Sequence, residues 1–419
     1  MKKLFPLLLI VLSNMINAQD IVRIAAHNST EQAKACADYI CVGKNDEATI
    51  QKVLDLFAKS PDVGHCILLS DGTYHIGGFY SDENFLQPTA IRIGVIRSLV
   101  IRGESECPRN PNGVVWLVDS TAYDNHDAET QVSVLSFSYK NPLNYNRFSM
   151  KNINITLPDI RHKVIAINTY NTGSAILDNL ALRCEGSGPG CMPVEGLVGV
   201  RGSSINPNGV GHHWTDIVSW GFHEGFQIGG EHIIAQELLA IKCFYGFTFG
   251  NYDMIDAKTM GERAGGVWEH PITLINCAEE HCASLPLFNH CGAAWKMNQR
   301  GYQVIDMISH TIEYRDKENP TLAPILPARE TVPGTWCGNI SFCGNLHASS
   351  LENAVDVPFW EKGSGRRFLT RNSAHALAGT SKERLSYLPM YMQQFFDTDL
   401  NKLLIYNGEK WVDTNGNEQ

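Results

Sequence analysis

Apolar positions near the start of the chain repeat with the period of a helix. Residues 45–57 read NDEATIQKVLDLF, and their apolar side chains fall at i, i+3, i+4 and i+7, the spacing of an amphipathic helix. Asn45, Asp46 and Glu47 supply a cap and negative charge for the first turn. The strand, turn and strand of CILLSDGTYHI follow. We therefore expect a helix that covers the open end of a sheet, because an exposed sheet edge invites unwanted pairing.

Farther along, apolar residues form short runs separated by Gly, Asn and Asp. The runs are SLVIRG, SVLSFSY, FSMKNINIT, VIAINTY, AILDNLAL, LVGVRG, HWTDIVSW, FQIGG, ELLAIKC, FTFGN, ITLINC and YQVIDMIS. Such recurrence predicts a repeat architecture. Its uneven spacing favours an all-β solenoid of stacked parallel strands with loops of variable length. A propeller would need more uniform blades, and a sandwich would show more two-residue hairpin turns.

The opening of this pattern resembles a known superfamily. ADYICVGKNDEATIQKVLDLF followed by CILLSDGTYHI is similar to the start of pectin lyase-like proteins. The likeness is specific over about residues 37–80 and diffuse to about residue 350, where it rests on periodicity. It implies a right-handed parallel β-helix with an N-terminal capping α-helix and a carbohydrate-facing groove on the exterior. Members include lyases, hydrolases, epimerases, phage tailspikes and adhesins, so the fold alone does not choose a function.

The two ends of the chain carry separate signals. Residues 1–18 combine two lysines, an apolar run and small or polar residues, which predicts a signal peptide and a secreted or periplasmic protein without a membrane span. The β-helix with its cap is then expected over residues 19–345, a linker over 346–385 and a small β module over 386–419. That module contains Asn407-Gly408, a hairpin signal. With FDT, NK, YNG and WVD in the usual order, it is similar to short C-terminal modules of phage and bacterial tail-associated proteins.

Charge and cysteine content narrow the function classes. With 34 basic and 44 acidic residues the formal net charge is −10, and no basic block is present, so a nucleic-acid partner is not expected. Twelve cysteines in an exported chain suggest disulfides. The close pairs to test are Cys36/Cys41, Cys184/Cys191 and Cys337/Cys343. None of the spacings matches a zinc signature.

An alignment of the repeats predicts which side chains face outward. The polar anchors are Asn152, Asp178, Asp216, Glu237, Asn276 and Asp306. Six positions later an inward stack is expected at Cys184, Phe222, Cys243, Cys282 and Ile312. Successive side chains of a strand point to opposite faces, so the residues directly before the inward stack are expected to face outward. They form an exterior column of Arg183, Lys242 and His281.

These positions define the candidate site. The predicted catalytic residues are Lys242, His281, Arg183 and Tyr245. The predicted substrate-binding residues are His223, Glu279, Trp268, Arg263 and Tyr314. Trp268 and Arg263 belong to a long loop expected to wall a groove over the exterior column.

The residue types favour a lyase that acts on a uronic-acid polymer such as pectin or a glycosaminoglycan. β-Elimination needs a base for the proton next to the carboxylate and cations that stabilise the developing charge. A glycoside hydrolase would instead need two carboxyl groups across the scissile bond, and Glu279 with Glu313 or Asp253 leaves that alternative open. A noncatalytic glycan-binding protein is the third alternative. No metal site is predicted, although Ca²⁺ could bridge a substrate carboxylate.

Overall fold

The computed structural model shows a mostly β chain with few helices and long parallel sheets. It describes residues 20–106, 112–138, 146–169, 172–186, 193–202, 210–228, 231–249, 272–280, 282, 287–288, 304–314, 339–348, 369–370, 377–386 and 394–419. Within these ranges the protein has an all-β parallel fold followed by a small C-terminal sheet.

The three α-helices of the described residues are short. They are α1 (Glu31–Ala35), α2 (Glu47–Phe57) and α3 (Ser381–Ser386). The strands are β1 (Asp20–Ala25), β2 (Tyr39–Ile40), β3 (Gly64–Leu69), β4 (Gly72–Ile76), β5 (Thr89–Ile93), β6 (Ser98–Gly103), β7 (Val114–Val118), β8 (Val132–Phe137), β9 (Arg147–Leu157), β10 (Val164–Asn168), β11 (Ser174–Cys184), β12 (Val198–Arg201), β13 (Val210–Trp220), β14 (Glu224–Ile228), β15 (Glu231–Ile241), β16 (Tyr245–Phe249), β17 (Ile272–Ile275), β18 (Ala278–Glu280), β19 (Leu287–Phe288), β20 (Val304–Tyr314), β21 (Asn339–Ala348), β22 (Leu369–Thr370), β23 (Leu377–Gly379), β24 (Gln394–Asp397), β25 (Lys402–Tyr406) and β26 (Trp411–Asp413). Each apolar run singled out above overlaps one of these strands.

Two parallel sheets receive successive strands in turn. In the described part of the chain, β9, β11, β13 and β15 are neighbours in a fifteen-stranded sheet, and β8, β10, β12, β14 and β16 are neighbours in a seven-stranded sheet. The chain therefore alternates between the sheets and adds one strand to each on every passage. One buried apolar cluster includes residues from both sheets, and burial of such surface is the main source of stability.

A row of residues with positive φ fixes the register of the larger sheet. Asn152, Asn179, Asp216, Glu237 and Asn276 have φ between 48° and 60°. The strand pairing places these five positions side by side. Asn is enriched in this left-handed region because its short polar side chain tolerates it.

Two of the predicted anchors are therefore wrong. Asp178 pairs with Lys151 and Thr215, so Asn179 occupies the anchor position. Asp306 pairs with Thr273, upstream of the anchor. The inward stack is nevertheless confirmed where side chains are described, because Cys184, Phe222, Cys243 and Cys282 are all buried.

Helix α2 packs at the N-terminal end, as its pattern predicts. Ile50, Val53, Leu54 and Phe57 are its buried apolar residues. Asp46 is the N-cap residue and Glu47 is the acidic residue of the first turn, as expected, but their side chains bond to other parts of the chain. Asp46 makes no side-chain cap and instead accepts hydrogen bonds from Val42, Gly43 and His75 amides. Glu47 is buried and accepts from the Gly77 amide and the Tyr80 hydroxyl.

Gln51 shows how α2 covers the sheet. β5 is the last strand of the seven-stranded sheet. The Arg92 amide on that strand donates to Gln51 Oε1 at 2.8 Å, and Gln51 Nε2 donates to the Arg92 carbonyl at 3.1 Å. The side-chain amide thus replaces the hydrogen bonds that a further strand would make.

Replacing Gln51 with Ala is expected to lower the free energy of unfolding by about 1 to 3 kcal/mol, because both Arg92 main-chain groups lose their partner. Denaturation with urea measures the change. Lys59→Ala, an exposed substitution beyond the helix end, serves as the control and should change stability by less than about 0.5 kcal/mol. Equal stability of the two variants would contradict the edge-covering role of Gln51.

The C-terminal sheet joins β23, β24, β25 and β26 around Phe395, Leu404 and Trp411. β23 and most of α3 lie in the segment 346–385 that was predicted as a linker, and β23 pairs with β24. Arg384 Nε and Asp397 Oδ2 form a buried ion pair at 2.8 Å.

The two strands predicted in this module, β25 and β26, are present. The predicted two-residue turn is wrong, because Tyr406 pairs with Trp411 across a four-residue loop in which the Asn407 amide donates to the Lys410 carbonyl.

Cys36 and Cys41 are free thiols, so the first pair to be tested is not bonded. Cys184 is also a free thiol, so the second pair is not bonded either. Cys191 and Cys337 lie outside the described residues.

Among the helices of the described residues, none is long and apolar enough to cross a membrane. The predicted signal peptide, residues 1–18, also lies outside them.

Candidate functional site

Two cations lie over one indole ring at the end of β13. The Arg183 guanidinium carbon is 5.7 Å from the Trp220 ring centroid, and Lys242 Nζ is 4.9 Å from it. Arg183 also forms an exposed ion pair with Glu185 at 2.8 Å. Among the residues that the structure describes, no carboxylate pairs with Lys242. We call Arg183, Trp220 and Lys242 the cation–indole cluster.

The strand register explains how this cluster forms. Arg183 pairs with Trp220, which in turn pairs with Ile241. Arg183 and Lys242 were predicted to share one register position, but Lys242 follows that position by one residue. Its φ is 51°, and that of Gly221 beside it is 81°. Residues with this left-handed backbone conformation begin a corner of the chain. The side chain of Lys242 turns back there towards Trp220.

Three aromatic rings pack together just beyond the corner. The His223 and Phe244 rings are stacked with centroids 5.0 Å apart, and the Tyr245 ring meets His223 edge-on at 5.5 Å. The Tyr245 amide donates to the His223 carbonyl at 2.8 Å. His223, Phe244 and Tyr245 form what we call the imidazole cluster.

The two clusters adjoin through the chain itself. Lys242 belongs to the first and Phe244 to the second, so their Cα atoms are no more than about 7 Å apart. The Phe244 amide donates to the Phe222 carbonyl at 2.9 Å, which holds the two corners side by side. The structure thus groups Arg183 with Lys242 on Trp220, and His223 with Tyr245 in the imidazole cluster, at adjacent corners of the chain.

Glu279 does not belong to this surface, and the prediction that it faces outward is wrong. Its side chain is fully buried against Gly246. Neither carboxyl oxygen receives a hydrogen bond of ordinary geometry from the described residues. Burial raises the pKa of Glu279 well above its ordinary value, the Phe247 backbone lowers this pKa in part, and Cys243 raises it further. Glu279 is therefore a neutral interior acid over the lower pH range.

This burial predicts a pH-dependent stability. The folded state binds the Glu279 proton more tightly than the unfolded chain, whose Glu pKa is about 4.3. The stabilisation of the folded state by this proton is thus fully present below the unfolded-state pKa. It is lost as the pH rises through the raised pKa of folded Glu279. Glu279→Gln should flatten the fall in unfolding free energy above about pH 5, measured by urea denaturation across pH. Glu280→Gln, a half-buried neighbour, is the control, and identical pH profiles for the two variants would contradict the prediction.

Of the remaining predicted residues, the structure describes only the backbone of Tyr314. His281, Arg263 and Trp268 lie outside the described residues. Tyr314 is the last residue of β20 and pairs with Ala348. Trp220 is the residue that the sequence analysis missed. The signal was its position at a strand end, directly opposite Arg183.

Metal binding is not supported within the described ranges. No group of three or more His, Cys, Asp or Glu side chains there is arranged to hold an ion. The suggestion that Ca²⁺ bridges a substrate carboxylate has no ligand set among those residues.

Comparisons with known proteins give one slight likeness. The crystal structure of tailspike protein 3 of bacteriophage CBA120 aligns with 87% of this chain at 10% identity and a TM-score of 0.17. The chain spans 66% of that tailspike, a little under two thirds of its length. A likeness at this TM-score establishes neither fold nor function. No protein-family model matches the chain, and no curated protein matches it.

Proposed function

We propose that this protein is an exported polysaccharide lyase that cleaves a uronic-acid polymer by β-elimination on a right-handed parallel β-helix. The alternation of successive strands between two parallel sheets supports the β-helix. The sequence of residues 1–18 supports export. The substrate class rests on the site.

The cation–indole cluster is the observation that carries the proposal. Arg183 and Lys242 share one indole ring in a chain whose net charge is −10. Cations held on an aromatic face are pre-positioned, so less side-chain entropy is lost when they bind an anion. A sugar carboxylate is an anion of suitable size. Its enolate form carries more charge on its oxygens, and fixed cations stabilise that developing charge.

The imidazole cluster supplies the second requirement of β-elimination. A base must remove the proton next to the carboxylate. His223 follows Trp220 by three residues and Tyr245 follows Lys242 by three, and these two side chains are the candidates for that base. The hydrolase alternative is weaker, because the burial of Glu279 removes one member of both carboxyl pairs suggested for it.

A noncatalytic glycan-binding protein remains the second candidate. The cation–indole cluster could bind an acidic glycan without any chemistry, because cations and an aromatic ring are sufficient for recognition. The two candidates share the ligand and differ only in whether the polymer is cut.

Incubation with polygalacturonate, hyaluronan and chondroitin sulfate tests the proposal, with dextran as the uncharged control. Ultraviolet absorbance of an unsaturated product on an acidic polymer is the expected result. New reducing ends without that absorbance would favour hydrolysis. Retention on an acidic polymer without cleavage would favour the binding protein. Neither binding nor cleavage of any acidic polymer would overturn the proposal.

A further inference from the structure

His223 lies at the corner between β13 and β14 with one ring nitrogen directed inward. Nδ1 is enclosed, although the side chain as a whole keeps 15% exposure. The exposed part of the side chain therefore lies among its other atoms, which include Nε2. The group facing Nδ1 is the Glu224 carboxylate, with Oε1 at 3.9 Å. That separation is longer than a hydrogen bond, but catalytic contacts are often long before substrate binds.

Glu224 is a buried carboxylate that its surroundings keep charged. Thr248 Oγ1 donates to Glu224 Oε2 at 2.7 Å. The neighbouring Gln227 accepts a hydrogen bond from Arg201 Nε through its side-chain oxygen Oε1. Burial would raise the pKa of Glu224, but the Thr248 hydroxyl and the neighbouring His223 imidazole outweigh burial and lower that pKa.

The aromatic neighbours fix the plane of the imidazole. Phe244 stacks on the His223 ring at an interplanar angle of 13°, and Tyr245 meets it at 86°. Two rings at nearly right angles to each other leave the imidazole little rotational freedom. A buried carboxylate facing Nδ1 and a fixed ring plane are together the arrangement of a histidine whose Nε2 is left to accept a proton.

We propose that Glu224 positions His223 with the proton on Nδ1, so that Nε2 is the base of the β-elimination. This inference rests on the proposed function. Nε2 takes the proton next to the uronate carboxylate, and the C–H electron pair forms the new carbon–carbon double bond as the neighbouring C–O bond breaks. The leaving oxygen takes a proton from water, and the imidazolium returns its proton to solvent. His223 is then a catalytic residue, while Glu224 is a positioning residue.

Long-range ¹H–¹⁵N NMR of the full chain labelled at histidine tests the positioning without substrate. The wild type should show the Nδ1–H tautomer for His223, assigned by its loss in His223→Gln. Glu224→Gln should change this tautomer signature, whereas Glu129→Gln, an exposed control, should not. An Nε2–H tautomer in the wild type, or an unchanged signature in Glu224→Gln, would overturn the positioning role.

Kinetics tests the base role. Glu224→Gln should lower kcat by about 10- to 100-fold with KM nearly unchanged, the range found when a group that orients a functional histidine in a metal site is removed. His223→Gly should be nearly inactive and should regain turnover with added imidazole. Absence of rescue in a folded His223→Gly variant would overturn the base role. Absence of cleavage by the wild type would overturn the proposed function, and the NMR result would still decide the orientation of His223.

Discussion

Lys242→Ala is expected to lower turnover on the acidic polymer by about 10²- to 10³-fold, the usual cost of removing one donor that stabilises a developing oxyanion. Lys242 Nζ lies 4.9 Å from the Trp220 ring centroid, and no described carboxylate neutralises it. The side chain is half-buried, so its loss should leave the fold intact. Initial rates of ultraviolet absorbance at saturating polymer measure the effect.

Two controls make the Lys242 result specific. Lys242→Arg keeps the charge over the indole and should retain most of the turnover. Lys44→Ala removes an exposed lysine outside the cluster and should behave as the wild type. A near-normal rate in a folded Lys242→Ala variant would remove Lys242 from the catalytic site.

Phe226→Ala should lower the free energy of unfolding by about 3 to 5 kcal/mol, the cost of truncating a buried aromatic side chain. Phe226 is fully buried, and its ring stacks on Phe247 with centroids 5.1 Å apart. The cavity lies between two adjacent parallel strands that cannot collapse together without breaking their hydrogen bonds. Urea denaturation gives the value.

Two control variants remove less buried side-chain volume than Phe226→Ala does. Phe226→Leu keeps much of the apolar surface and should cost less than the Ala variant. Val95→Ala truncates a side chain that is 42% exposed and should change stability by less than about 0.5 kcal/mol. A loss of similar size in all three variants would contradict the structural role assigned to the stacked rings.

Much of the fold is predictable because its signals are local. Helix α2 follows from the spacing of its four buried apolar residues, and β3 and β4 follow from the alternation in CILLSDGTYHI. The apolar strand runs were equally visible, because each strand must bury residues in the shared core. These features depend on residues close together in the sequence, and neighbouring strands do not alter them.

The register of the strands is harder to predict, because it depends on backbone conformation. Asp178 and Asn179 are adjacent polar residues, and only the positive φ of Asn179 shows which one is the anchor. An error of one residue reverses the expected face of a strand side chain. The shared position of Arg183 and Lys242 was wrong for this reason.

The face of Glu279 and the role of Trp220 depend on long-range packing. Counting alternate positions placed Glu279 outside, but the corner at Lys242 and the small Gly246 opposite leave room for it inside. Trp220 joins Arg183 and Lys242 only because three strands come into register. No short stretch of sequence contains both contacts.

The Gln51 amide also bears on self-association. Without the two hydrogen bonds to Arg92, the terminal strand β5 would offer unpaired amides and carbonyls to any other chain, and strands in that state template fibre growth. A single glutamine therefore helps to close this end of the parallel stack to end-to-end polymerisation.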